Sequence, residues 1–190
     1  MVKELETQFE KVWIVHRLDK VTSGVMVFAR TADAHRNLSV QFENHQVEKV
    51  YRVLANGIPD WDEKVAKYPL RINVGHNHRT AIDPRNGKPS ETRFIVLERF
   101  TEYCLLEANP MTGRTHQVRV HAYALSHPLL GDVLYSAPKT DMILRPALHA
   151  RSLTFTNPTN DNRVTFQSPY PEDFEYALIK CRGDWSVTST

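Results

Sequence analysis

Three short strings gather the side chains that could do chemistry. In His16-Arg17-Leu18-Asp19-Lys20-Val21-Thr22-Ser23-Gly24, a carboxylate lies two residues from a guanidinium and three from an imidazole, directly after an apolar run. If the strand continues through it, Arg17 and Asp19 share a face and Leu18 turns to the core. A strand-end loop is a common place for a functional residue, here a carboxylate able to attack an electrophile or take a proton. By residue type alone, a surface Arg–Asp pair beside a Ser/Thr-capped turn accounts for the same string. The second string is Thr112-Gly113-Arg114-Thr115-His116-Gln117-Val118-Arg119-Val120-His121. A helix start with arginines nearby attracts anions. Arg119 lies one residue from the stripe Val118, Ala122, Leu125, so a partly buried guanidinium is expected there. Such a group needs a carboxylate, for which Asp19 is a candidate. In the third string, Lys49-Val50-Tyr51-Arg52-Val53, a strand puts Lys49, Tyr51 and Val53 on one face, where a tyrosine can simply fill the edge of a core.

The elements that must position these strings are mostly strands. Val12–Val15 and Val25–Ala29 flank a turn at Lys20–Gly24. Thr31 is placed to cap a helix running to about His45, with Ala34, Leu38 and Phe42 on one face. Val50–Ala55 reads as a strand ended by Asn56-Gly57. Glu91–Leu97 and Tyr103–Ala108 read as a strand pair. Thr115 is placed to cap a helix through about Leu125. Ser152–Thr156 and Arg163–Gln167 alternate with period two around a turn, and Pro171–Cys181 reads as a terminal helix. Strands outnumber helices and most are joined as hairpins, which predicts an α+β fold with a largely antiparallel sheet. Without a repeat, a low-complexity tract or a Pro/Gly/Ser linker, residues 1–190 read as one domain.

Composition removes several classes of function. With 41% hydrophobic and 24% charged residues, the 190-residue chain has the make-up of a folded globular domain. No apolar run approaches a membrane span, and MVKELETQFEKVW lacks the apolar core of a secretory signal. Two cysteines, Cys104 and Cys181, make neither a disulfide framework nor a four-cysteine zinc site, so free thiols in the cytoplasm are expected. His116 and His121 are five apart rather than the four that align zinc ligands on a helix, so no metal site is expected. His76-Asn77-His78 spells a nuclease signature by accident. There is no glycine-rich phosphate loop and no nucleophile elbow around Ser23. The formal charge of +2 hides a segregation: residues 16–52 hold six Lys/Arg against four acids, 71–93 five against two, and 110–151 five against two. The motif-bearing blocks are thus the basic ones, and arginine, the side chain that forks onto phosphate, outnumbers lysine 15 to 9.

Read together, the strings resemble the RluA-type family of RNA pseudouridine synthases, most closely its RluA subgroup, from about Trp13 to Ala177. HRLDxxTSG at His16–Gly24 is similar to the family's catalytic motif and Lys49-Val50-Tyr51 to its KxY motif. Thr112–His121 followed by His127-Pro128-Leu129-Leu130-Gly131-Asp132 is similar to TGRTHQxRVH…HPxxGD. Leu148-His149-Ala150 and Ser168-Pro169-Tyr170-Pro171 match its closing elements. The resemblance implies a large mixed, mainly antiparallel sheet with flanking helices and a central cleft. It implies that specific uridines in an rRNA or tRNA loop are isomerised to pseudouridine by a monomer without a cofactor. Asp19 is then the catalytic aspartate, Arg119 its ion-pair partner, and Tyr51 the platform for the target base, with a phenol also placed to help remove the C5 proton. Arg17 fills the space of a flipped nucleotide, and Lys49, Arg52, Arg114 and His116 complete the RNA-binding set. The family's N-terminal strand and Lys-Pro motif have no counterpart in the 15 residues before His16, and no separate RNA-binding module is expected. An RNA-binding or RNA-folding protein of weak activity on the same scaffold is the alternative expectation.

Overall fold

The computed structural model describes residues 2–75 and 79–183, so the His76-Asn77-His78 string lies outside the described residues. In chain order the elements are α1 (Val2–Phe9), β1 (Trp13–Ile14), β2 (Ser23–Gly24), β3 (Phe28–Ala29), α2 (Ala32–Glu43), β4 (Glu48–Asn56) and β5 (Glu63–Lys67). There follow β6 (Leu70–Val74), β7 (Arg79–Ile82), β8 (Glu91–Arg99), β9 (Tyr103–Pro110), α3 (Gln117–Ala124), a 3₁₀ turn (Val133–Tyr135), β10 (Leu148–Thr156), β11 (Arg163–Gln167) and α4 (Glu172–Arg182). The main sheet runs β11-β10-β4-β9-β8-β5, antiparallel throughout, with β2 added in parallel beside β10. This is the mixed, mainly antiparallel α+β architecture expected. Among the described residues, no helix is long and apolar enough to cross a membrane.

Strand alternation sends the two faces of the sheet to two different cores. Val53 and Ala55 of β4, with Cys104, Leu106 and Ala108 of β9, pack against Val118 and Ala122 of α3. Leu54 and Leu105, offset by one residue, pack with Phe174, Ala177 and Leu178 of α4. A third core joins Leu38 of α2 to Ala29, Leu153 and Phe155. Thr31 caps α2 as expected, its hydroxyl accepting from the Ala34 N–H at 3.2 Å.

Several local expectations are corrected. The catalytic-type string is not a strand continuation: only Trp13–Ile14 pairs, with Phe28–Ala29, and His16–Thr22 is irregular backbone. Leu18 therefore does not turn to the core but lines the same cleft as Arg17 and Asp19. The string is held from the other side, where Ser23 and Gly24 pair with His149 and Ala150. Gly24 is required there: its φ is +119°, and a Cβ would lie 2.2 Å from the Ala150 carbonyl oxygen. Thr115 does not cap α3. That helix begins at Gln117 from His116 in the left-handed region (φ 54°, ψ 17°), with no side-chain cap bond. Gln117 organises the approach instead, its Oε1 accepting from the Thr112 hydroxyl at 2.6 Å and the Arg114 N–H at 3.0 Å. Nor is α3 amphipathic: every residue from Gln117 to Ala122 is buried.

Candidate active site

A cleft of about 700 Å³ opens between the His16–Thr22 segment, the start of β4 and the approach to α3. That volume suits a nucleotide-sized ligand. Arg17, Asp19, Lys49, Tyr51, Arg114 and His116 all line it. Six of the eight residues singled out in the sequence thus meet at one cavity from three separate strings. Arg119 lies behind Asp19, and Arg52 does not reach the cavity. The parity of β4 explains the difference: Lys49 and Tyr51 share the α3 face with Val53, while Arg52 points to the α4 face with Leu54. There Arg52 donates to Glu107 at 2.6 Å. The expectation that Arg52 shares the cleft face with Arg17 and Arg114 is therefore corrected.

Arg119 is also corrected in its main partner. Its Nε and Nη2 each donate to Asp132, at 2.7 Å, in a bidentate pair whose side chains are 6% and 1% exposed. Asp19 Oδ2 lies farther off, 3.7 Å from Arg119 Nη1. Burial alone would depress the guanidinium, but the bonds to Asp132 and the charges of Asp132 and Asp19 hold it fully protonated. Asp132 closes the HPxxGD string, where the sequence alone gives it no role. A signal existed, because a buried arginine needs more acceptors than one cleft carboxylate provides.

The electrostatics sort the other side chains. Burial pushes the Lys49 ammonium down to about 8, and Nζ donates to the Thr112 carbonyl at 3.3 Å. Burial and then the Lys49 charge push His16 down to about 4. His16 is therefore neutral, stacked on Phe42 at 4.6 Å between centroids, and its Nε2 accepts from the Val27 N–H at 3.1 Å. Burial and the nearby Asp19 charge push the Tyr51 phenol up to about 12, so it stays protonated. His116 Nε2 lies 3.8 Å from Asp19 Oδ2, and its Nδ1 lies 2.9 Å from the Tyr135 hydroxyl. Its pKa is lowered, first by burial and then by the Arg119 charge, against the pull of Asp19 and Asp132.

Beneath the catalytic-type turn lies a clamp that sequence reasoning missed. Arg145 uses its whole guanidinium there. Nε and Nη2 donate to Asp173 of α4 at 2.7 and 2.8 Å. Nη1 donates to the Val21 and Leu148 carbonyls, each at 3.2 Å, and Nη2 to Ser23 Oγ at 3.2 Å. His149 Nε2 faces the Ser168 carbonyl at 3.2 Å, so it carries the proton and Nδ1 accepts from the Ser23 hydroxyl at 3.0 Å. The arrangement offers the Asp19 carboxylate at a cleft wall beside a fixed cation, with a flat phenol and cationic side chains around the opening. That set can activate a carboxylate, stack a base and hold phosphates.

Comparison with known proteins gives the same direction. The family model described as RNA pseudouridylate synthase matches residues 2–124. A ribosomal large subunit pseudouridine synthase D of Neisseria meningitidis is 38% identical over 199 residues, covering 97% of this chain and 52% of that protein. A ribosomal large subunit pseudouridine synthase C of Vibrio cholerae is 38% identical over 187 residues, covering 95% of this chain and 59% of that protein. The chain thus spans between half and three-fifths of the length of these curated relatives. The solved structure of human RNA pseudouridylate synthase domain containing 1 superposes with a TM-score of 0.77 at 31% identity, covering 89% of this chain and 73% of that one. With the family model matched over most of its length, the chain belongs to the RNA pseudouridylate synthase family.

Proposed function

We propose that this chain isomerises uridine to pseudouridine in structured RNA, with Asp19 as the catalytic carboxylate. The observation that carries the reading is Asp19 on the wall of the cleft, 3.7 Å from the Arg119 guanidinium and beside Tyr51. The reaction breaks the bond from N1 to C1′, turns the uracil and rejoins it through C5. No atom enters or leaves overall, so one ionised and poorly solvated carboxylate suffices to start it, at C1′, C6 or the C2′ proton. Arg119 favours the ionised form of Asp19. A base stacked in RNA must first leave the stack, at a cost of a few kcal/mol. Stacking on Tyr51 recovers about 1–3 kcal/mol of that. Arg17, exposed at the cleft, occupies the space the base vacates, and Lys49 and Arg114 hold flanking phosphates. Relatives named for the ribosomal large subunit make its RNA the first substrate to try, with tRNA second.

The test incubates large-subunit rRNA and tRNA transcripts with wild type and Asp19→Asn, and maps pseudouridine chemically. New sites are expected with wild type alone, while both proteins bind RNA equally. Product from Asp19→Asn, or none from wild type despite binding, overturns the reading; the second result leaves an RNA-binding scaffold.

A further inference from the structure

Resting on the isomerase reading, we propose that His116 is a catalytic residue whose Nε2 takes the proton leaving C5 of the re-attached uracil. When C5 bonds to C1′, that carbon still carries its hydrogen. Restoring the aromatic ring requires the proton to leave C5 and the electron pair of the C–H bond to become the ring double bond between C5 and C6. N1 gains a proton from solvent, so atoms and charge balance. The acceptor must reach the cleft with a free lone pair.

The backbone and one tyrosine give His116 that form. Its left-handed conformation, ahead of α3, sets the side chain at the cleft wall, 19% exposed. Nδ1 faces Tyr135, and the Tyr135 hydroxyl already has two backbone partners. It accepts from the Thr80 N–H at 3.0 Å and donates to the Thr80 carbonyl at 3.1 Å. Thr80 has no register partner across the β6–β7 irregularity, which leaves its backbone to the phenol. With its only proton given to Thr80, the hydroxyl accepts from Nδ1–H of His116 at 2.9 Å. Nε2 of the neutral ring is then the bare nitrogen, on the Asp19 side. Once protonated, it faces the Asp19 carboxylate at 3.8 Å, with Asp132 beyond.

Other groups in the cleft fit the step less well: Glu43 and His45 stand exposed to water at the end of α2. His16 spends its lone pair on the Val27 N–H. The Tyr51 phenol holds its own proton, and Lys49 is a cation at neutral pH. Asp19 is committed to the nucleotide at C1′, C6 or C2′. Arg119, 3.7 Å from Asp19, is a permanent cation. The Tyr135–Thr80 contact also gives the β6–β7 hairpin a task at the site: it fixes the His116 tautomer through the Tyr135 hydroxyl.

The experiment compares single-turnover product formation on RNA carrying uridine or [5-²H]uridine at the modified position. His116→Asn is the main variant, because asparagine tolerates the left-handed backbone; His116→Gln is the second. Loss of a general base slows the reaction by about 10²–10⁴-fold. At RNA concentrations that saturate each protein, both variants are expected to show an isotope effect that wild type lacks. Imidazole added to the buffer is expected to restore part of the rate and shrink that effect. A variant as fast as wild type, or one slowed with no isotope effect and no imidazole rescue, overturns the assignment while leaving the isomerase reading intact. A wild-type protein that makes no product overturns both.

Discussion

Asp132 decides whether Arg119 can serve Asp19 at all. A guanidinium 6% exposed cannot be left without its bidentate partner. Asp132→Asn keeps the volume and removes the charge, and breaking a buried pair in this way costs about 3–5 kcal/mol. Urea denaturation of the variant should show that loss. Tyr51 has a different test, since its phenol is held protonated with a pKa near 12. Tyr51→Phe should keep RNA affinity, because the ring face that stacks is unchanged, and should alter the rate little if the hydroxyl has no proton to move. Tyr51→Ala should lose about 1–3 kcal/mol of binding to the flipped base, measured by titration with a short RNA. The side chains that line the cleft were legible because three strings carried unusual residue types at fixed spacing. Of their partners, Asp132 left a signal only in the acceptors that Arg119 needs, and Tyr135 and Arg145 left none, because each acts across a distance in sequence that no local pattern encodes.

The elements were legible to unequal degrees. The long strands β4, β8, β9, β10 and β11 and the helices α2 and α4 followed from periodicity, capping and turn residues. β5, β6 and β7 were not expected, because Arg71 and Ile72 of β6 and the charged residues of β5 offer no clean alternation of buried and exposed positions. They are held by pairing with β8 and by Tyr135, so tertiary context rather than propensity makes them strands. α3 was legible as a helix but not as a buried one. Only Arg119 was expected to be even partly buried, whereas Gln117 bonds Thr92, Arg119 bonds Asp132 and His121 lies 2.9 Å from Thr92. At the level of the catalytic-type turn, Gly24→Ala is the sharpest perturbation. Its Cβ would meet the Ala150 backbone at 2.2 Å, so the β2–β10 pairing must open. The variant should lose turnover far more than RNA affinity, and amide hydrogen exchange should show Gly24–Val25 and Ala150 opening together.

For the whole molecule, the +2 charge is the sum of unlike regions. Around the cleft, Arg17, Lys49 and Arg114 outnumber Asp19 and Glu43. RNA affinity should therefore fall steeply with salt, a plot of log K against log salt having a negative slope that Arg17→Ala and Arg114→Ala each make shallower. Acid should act on stability through the histidines. His16, His121 and His149 all have pKa values lowered by burial, His16 to about 4 from 6.5. The unfolded chain binds these protons first, so the stabilisation is complete above pH 6.5 and is lost as pH falls towards 4. For His16 alone the slope in that window is at most about 1.4 kcal/mol per pH unit. Thermal melts from pH 7.5 to 4 should show the midpoint falling through this window, and His16→Asn should flatten the fall.

The clamp made by Arg145 bears on when, during synthesis, the site comes into being. Of the residues that line the cleft, all but Leu148 lie at or before Val118. Yet the turn after Asp19 is held by β10, by Arg145 and through it by Asp173, which leave the ribosome after the strings that line the cleft. β10 must insert beside β4, about 100 residues earlier in the chain, a non-local pairing of the kind that forms slowly. A nascent chain can therefore display Asp19, Lys49 and Tyr51 before β10 and α4 emerge to complete the framework that aims them.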